Sequence, residues 1–374
     1  MKYIAAPMVN QSDLPFRRLV ENHGAMMSYT QMLIPERLLN DQEYLEFHLR
    51  DLTLWGSERN KPVVVQLCGN DPDMVVKGAR QVQGYCDAIG TISIDLNLGC
   101  PQETAKDGHY GAYLLGQKDW PIVEGMVSSM SSSLAVPISA KLRLCQPLPK
   151  TYELSKRLEA CGSSWVTLHA RTVSARRRRQ GAADLDVVKE LKRHLNVPTI
   201  SNGNVKEHAD LKRNLLHTGA DGLMVGETLL GNPCVFEEDD PDTTAVSLEY
   251  LSLCNKYPGT ATLRTVQAHV RHFVEFQYQR RPWYHKFRTA ITNATSVEEI
   301  EHLTRYKLAK WLGREPVKHD VDEADPHGFP SEDEKECRSV GDGQVEVEVM
   351  NGNISNCLDI SPARKQPFAS IDSQ

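Results

Sequence analysis

The sequence predicts an α/β fold: a closed (β/α)8 TIM barrel, then a small all-α domain, then a disordered C-terminal tail. Three observations carry this prediction. Short apolar strand candidates recur with helical stretches between them, at 3–7, 26–30, 62–67, 93–98, 138–142, 165–169, 199–202 and 222–225. Strand and helix alternating in this way over roughly 240 residues is what such a barrel requires. The rival, a doubly wound sheet, would carry a first-turn GxGxxG, and the chain has none. From about Ser247 onward the pattern turns purely helical, with Val266, Val270, Phe273, Val274 and Gln277 on one face. The expected bounds are therefore 1–246 for the barrel, 247–313 for the helical domain and 314–374 for the tail.

The strand candidates end on chemically useful residues rather than on turn filler. The first ends Ala6-Pro7-Met8, followed by Val9, and the third ends Gln66-Leu67-Cys68-Gly69. In the fourth, Ile94, Leu96 and Leu98 alternate with polar Asp95 and Asn97, which is the period of a strand. It breaks at Gly99, whose missing Cβ opens dihedrals closed to other residues. Pro101 lacks an N–H and disfavours helix at Cys100. A thiol is thus held at the carboxyl end of a buried strand, where α/β barrels build their sites. The fifth strand carries Lys141 and Arg143, two apart and so on one face. The sixth ends His169-Ala170-Arg171, the seventh Asn202-Gly203-Asn204 and the eighth Gly226-Glu227. The loops after strands seven and eight are where barrels hold a phosphate on backbone N–H groups, and Gly203 and Gly226 would permit that approach. Read alone, Asn-Gly-Asn and Gly-Glu are also ordinary turns. Helix starts fit the spacers: Asp71 precedes Pro72, and Asp184 or Asp186 could cap another helix.

Composition bounds the function class. Apolar residues make up 40% and charged residues 25%, ordinary for a water-soluble chain. No apolar run is long enough to cross a membrane, and the apolar start is too short for a signal peptide. The nine cysteines show neither CxxC nor zinc-like Cys/His spacing, so no disulfide framework or metal is expected, and a reducing compartment, cytoplasmic or nuclear, is. The net charge of −6 is unevenly spread. Residues 315–374 hold 14 acidic and 5 basic side chains, whereas 248–314 hold 11 basic and 5 acidic ones. A basic helical domain suits a polyanionic partner. Its Arg280, Arg281 and Lys286 stand among Tyr278, Trp283 and Tyr284, a mixture fit for backbone tracking and base stacking. The alternative is a solvated bundle whose aromatics form its core. The arginine run 176–179, Arg178 included, is either a solvated loop or a further nucleic-acid contact. Beyond 314 the acidic, Ser/Gly/Pro/Asn-rich sequence has no sustained period, which predicts disorder.

Taken together, Ala5-Ala6-Pro7-Met8, Asp13-Leu14-Pro15-Phe16-Arg17, Asp95-Leu96-Asn97-Leu98-Gly99-Cys100-Pro101, Lys141-Leu142-Arg143, His169-Ala170-Arg171 and Asn202-Gly203-Asn204 resemble the tRNA-dihydrouridine synthases. The resemblance spans roughly 1–312 and leaves the tail unmatched. Gly108-His109-Tyr110-Gly111-Ala112 is similar to the eukaryotic branch acting on uridines 16 and 17 of the D-loop.

The resemblance implies FMN as cofactor, NADPH or NADH as reductant and tRNA as partner; a monomer is the expectation, with the oligomeric state left open. It implies reduction of uracil at C5–C6, with hydride to C6 and a proton from Cys100 to C5. Pro7, Met8, Val9 and Gln66 would lie against the isoalloxazine, Lys141 at its N1/O2 edge and His169 nearby. Asn202, Gly203, Asn204, Gly226 and Glu227 would hold the phosphate, Glu227 through backbone N–H only. Asn97, Arg143 and Arg171 would meet the substrate base, with Arg178, Arg280, Arg281 and Lys286 on the tRNA. Against the family pattern, residues 90–94 read as an insertion, expected as extra loop ahead of strand four. Two other readings stay open: a flavin barrel reducing a small-molecule pyrimidine, and an inactive tRNA-binding factor.

Overall fold

The computed structural model describes residues 2–56, 61–86, 92–174, 181–238 and 241–317. Within them, β1 (Tyr3–Ala5), β2 (Met27–Tyr29), β3 (Val63–Leu67), β4 (Ile92–Leu98), β5 (Ile138–Arg143), β6 (Trp165–His169), β7 (Thr199–Asn202) and β8 (Gly222–Val225) form a closed barrel in sequence order. Every neighbouring pair is parallel, and β8 closes onto β1. This is the (β/α)8 barrel the sequence predicts. Helices occupy the connections, and the helix starts read from sequence recur: Asp71 Oδ1 accepts from the N–H of Asp73 and Met74, and Asp184 caps Leu185–His194.

Alternation along each strand sorts the side chains. Ile94, Leu96 and Leu98 are fully buried and face outward, packing with Ala140, Leu142 and Leu168 under the covering helices. Burial of each such side chain stabilises the fold by roughly 1.5–3 kcal/mol. The intervening residues point into the barrel. At its lower end they are apolar, with Ile4, Met27, Tyr29, Val64, Trp165, Ile200 and Met224 in one cluster. Higher up they are polar: register sets Gln66 beside Asp95 beside Ser139, with Asn97 beside Lys141 and Arg143 beside His169 beside Asn202. The polar upper layer becomes the floor of the site.

Two sequence expectations need restating. The insertion at 90–94 is not all loop, because β4 begins at Ile92 and pairs with β3 from there; Gly90 and Thr91 lie outside the described residues. Extending the strand at its start leaves the motif's facing unchanged, since Asp95 and Asn97 still point inward. The tail falls outside the described residues from position 318 on.

The helices Thr243–Lys256, Leu263–Tyr278 and Tyr284–Asn293 pack on the β1–β8 side of the barrel. Phe16 and Val20, from the helix Leu14–Asn22, share a core with Val246, Tyr250, Val270 and Phe273. The joint is also polar. Asp13 caps Leu14–Asn22 by accepting from the Phe16 N–H, and its other oxygen bonds His269 Nε2 at 2.8 Å. Tyr250 donates to Asp13 as well, at 3.2 Å.

Candidate active site

A cleft of about 280 Å³ opens at the carboxyl ends of the strands. Its walls come from strands all round the ring. β1 contributes Pro7, Met8 and Val9 from its trailing loop, β3 Gln66, and β4 Asn97 and Cys100. β5 contributes Lys141 and Arg143, β6 His169 and Arg171. The β7 and β8 ends supply Asn202, Gly203, Asn204, Gly226 and Glu227. Residues scattered from 7 to 227 are thus brought to one place, as parallel strands closed into a ring must do.

Cys100 follows the β4 break. Asn97 Oδ1 accepts from the N–H groups of both Gly99 and Cys100, at 3.0 and 2.9 Å, which clamps the turn. Arg143 Nε donates to Gly99 O and its Nη1 to Thr172 O, both at 2.9 Å. From the far side comes Gly111, in the left-handed region at φ +65; a Cβ there would stand 2.9 Å from Cys100 O and 3.1 Å from its Cβ. The thiol is nearly buried, 9% exposed. Burial pushes its pKa up, outweighing the N–H of Gln102 and the charges of Arg143 and Lys141, so it is a thiol and not a thiolate at neutral pH. Such a group is a proton donor.

The Lys141 side chain lines the cleft, and its ammonium makes no hydrogen bond or salt bridge among the described residues. Burial, then the Arg143 charge, lowers its pKa to about 8. The native chain therefore holds this proton less tightly than the unfolded chain, and stability rises as pH climbs from about 8 toward the ordinary 10.5. His169 beside it is held well below its ordinary pKa by burial, then by Lys141, Arg143 and Arg171, and is neutral at pH 7.

At the β7 and β8 ends the side chains are occupied and the backbone is free to approach. Asn202 donates to Met224 O at 2.8 Å, and Asn204, at φ +57, bonds both the N–H and the O of Ala183 at 2.7 Å. Gly203 adopts φ +130, and a Cβ on it would lie 2.6 Å from Ala183 Cβ. At Gly226 a Cβ would stand 3.2 Å from Ala6 Cβ. Glu227 leaves its carboxylate exposed.

An ammonium aimed into an open cleft, a neutral imidazole beside it and two glycines where backbone must come close fit a flat, polar-edged cofactor with an anionic end. FMN meets that description. Asn97 and Arg143 line the same cleft; Asn97 also bonds Gln66, Met32 and the Cys100 turn, and Arg143 bonds Gly99 O and Thr172 O. Arg171 is buried at its rim.

The residues expected on tRNA lie elsewhere. Arg280, Arg281 and Lys286 are exposed around the turn between Leu263–Tyr278 and Tyr284–Asn293, without an ion pair among the described residues. Arg178 lies outside those residues. The interleaved aromatics turn inward: Trp283 stacks on Trp311 at 5.8 Å and meets Tyr278 at 5.5 Å, and Tyr284 is buried. They pack on one another and on Trp311, while the cations of the same turn face solvent.

Three residues of the site were not expected there: Gly111 as a wall for Cys100, Asp95, whose inward facing its alternation with Ile94 and Leu96 implies, and Met32, which lines the cleft beside Asn97.

The profile of the family described as "Dihydrouridine synthase (Dus)" matches residues 4–313. The chain belongs to the dihydrouridine synthase family. A tRNA-dihydrouridine(16/17) synthase-like protein of Mus musculus is 33% identical over 313 residues, covering 81% of this chain and 63% of that protein. The tRNA-dihydrouridine(16/17) synthase of Saccharomyces cerevisiae is 36% identical over 235 residues, 62% of this chain and 53% of the yeast protein. The tRNA-dihydrouridine synthase B of Yersinia pestis is 33% identical over 240 residues, 63% of this chain and 70% of the bacterial one. The chain thus spans less than two thirds of the mouse and yeast dihydrouridine synthases it resembles.

Proposed function

We propose that the chain is a flavin-dependent reductase that converts uridines of the tRNA D-loop, at positions 16 and 17, to 5,6-dihydrouridine at the expense of NADPH. The observation that carries this reading is a protonated, nearly buried thiol set at the edge of a cleft that also holds Lys141, His169 and the Gly203 and Gly226 approaches. When bound, FMN reduced by NADPH supplies the hydride for uracil C6.

The remaining work belongs to the protein. Lys141 would supply positive charge to the bound cofactor's ring, with neutral His169 beside it. Backbone N–H groups at residues 203–204 and 226–227 would hold the phosphate, and Pro7, Met8 and Val9 would lie against the ring. Cys100 Sγ–H gives its proton to C5, which together with the hydride at C6 saturates the bond, and the thiolate recovers a proton from solvent. Arg171 meets the base at the rim. The target base must leave its stack to reach this cleft, which costs less in a loop than in a stem.

The decisive experiment supplies FMN, NADPH and an unmodified tRNA transcript and maps dihydrouridine by position. Formation at 16 or 17 supports the reading; no dihydrouridine anywhere overturns it. Reduction of free uridine at rates comparable to tRNA would favour the small-molecule alternative.

Two further outcomes are expected. If Lys141 faces the flavin as a cation, FMN affinity in a fluorescence-quenching titration falls as pH rises through about 8. Lys141→Met should bind FMN about tenfold more weakly at pH 7, the scale of one charge-assisted contact, and lose that alkaline fall. Neutralising Arg280, Arg281 and Lys286 together should weaken tRNA binding at low salt and reduce the slope of log Kd against log salt by about 3 × 0.7–0.9. An unchanged slope across a salt series would remove this turn from the docking surface.

A further inference from the structure

The Cys100 turn is clamped by Asn97, and the clamp continues downward to a buried carboxylate. Asp95 is completely buried inside the barrel. Its Oδ1 accepts from Ser139 Oγ at 2.6 Å and its Oδ2 from Gln66 Nε2 at 2.8 Å. Gln66 Oε1 accepts from Asn97 Nδ2 at 2.7 Å, and Asn97 Oδ1 accepts from the N–H of Gly99 and Cys100.

We propose that Asp95 is a positioning residue for the Cys100 thiol: its carboxylate dictates which way the Gln66 and Asn97 amides face, and so holds the turn that carries Cys100. The inference rests on the reading of Cys100 as the acid.

Polarity sets the direction of the relay. An ionised carboxylate can only accept, and a backbone N–H can only donate. Two amides separate these ends, and each can face either way. With the carboxylate in place, only one arrangement pairs a donor with an acceptor at every link, and it turns Asn97 Oδ1 toward Cys100. Reversing either amide sets two donors or two acceptors face to face in a buried layer. Burial raises the Asp95 pKa to about 6, so the carboxylate is ionised at neutral pH. Ser139, Gln66, the Tyr29 hydroxyl and Lys141 surround it, and no cation is hydrogen-bonded to it among the described residues. A buried charge without a bonded cation is a poor device for stability alone, since an apolar residue of similar size costs less to bury. What it provides is direction.

Asp95→Leu removes the directing acceptor while keeping the branched side-chain skeleton, and Gln66→Glu/Asp95→Asn moves it by one link. In the pair, the carboxylate introduced at position 66 accepts from both the amide introduced at position 95 and the amide of Asn97, so Asn97 Oδ1 still faces the turn. The first readout is the rate of Cys100 alkylation by iodoacetamide, located by peptide mass spectrometry on the protein as purified. Asp95→Leu should alkylate at least about fivefold faster as the turn loosens, and the pair should return to within about twofold of wild type, because the lost and regained bonds are single hydrogen bonds. The second readout is dihydrouridine formation, in which Asp95→Leu should lower kcat by about tenfold or more with KM for tRNA little changed.

Alkylation of Asp95→Leu within about twofold of wild type, or a pair as fast as Asp95→Leu, overturns the proposal. Should Asp95→Leu fail to fold, Gln66→Glu alone, which faces one carboxylate with another, takes its place as the broken form. A wild-type protein that makes no dihydrouridine defeats the functional reading, while the alkylation series still decides the relay.

Discussion

Replacing Cys100 by alanine should lower dihydrouridine formation by about two to four orders of magnitude, the usual contribution of a positioned general acid. FMN binding should be retained, since Cys100 contributes one small side chain to a cleft whose charged and glycine walls come from other strands. The loss should appear in kcat rather than in KM, because the proton is needed only as the uracil is reduced. Burial keeps the thiol protonated above its ordinary value, so the wild-type rate should not fall from thiolate formation anywhere near neutrality. An alkaline fall near pH 8 would instead belong to Lys141, and the two are separable: Lys141→Met removes that limb, and Cys100→Ala lowers the whole profile. Activity within about threefold of wild type in Cys100→Ala, measured by dihydrouridine content, would exclude Cys100 as the acid.

Much of this arrangement was legible because strands write their facing into a period of two. Ile94, Leu96 and Leu98 against Asp95 and Asn97 fixed which side of β4 looks inward, and Gly99-Cys100-Pro101 marked where the strand had to stop. Likewise Lys141 and Arg143 were placed on one face by spacing alone. What spacing could not tell was the difference between a side chain that lines a site and one that holds it together. Arg143 and Asn97, expected on the substrate base, do line the cleft, and they also bond Gly99, Thr172, Gln66 and the Cys100 N–H. Apart from the local bonds of Asn97 to Gly99 and Cys100, those contacts join residues about 30 to 45 apart in sequence, and no local pattern encodes them. The aromatics near Arg280 were ambiguous for a related reason. Residues 279–283 form the turn between two helices and follow no period, so which side chains pack inward and which face solvent shows only once the helices are packed.

The other large effect lies in Asp13-Leu14-Pro15-Phe16-Arg17, which sits apart from the cleft chemistry. Arg17 is 1% exposed and makes a two-point contact with Asp51, at 3.1 and 2.7 Å, while also donating to Ser12 O. Arg17→Met should destabilise the protein by about 3–5 kcal/mol, because it leaves the Asp51 carboxylate buried without its partner. The measurement is the urea midpoint, with the slope of the transition unchanged. Arg17→Met/Asp51→Leu should recover most of that loss, since no unpaired charge then remains. A single variant near wild-type stability would show that water or another group already satisfies Asp51. The neighbouring Asp13 acts across the joint, through His269 and Tyr250, on the helices that carry Arg280, Arg281 and Lys286. Asp13→Ala should therefore weaken tRNA binding more than FMN binding: the cleft walls are strand ends held by the barrel, whereas the basic turn is held in place by the joint.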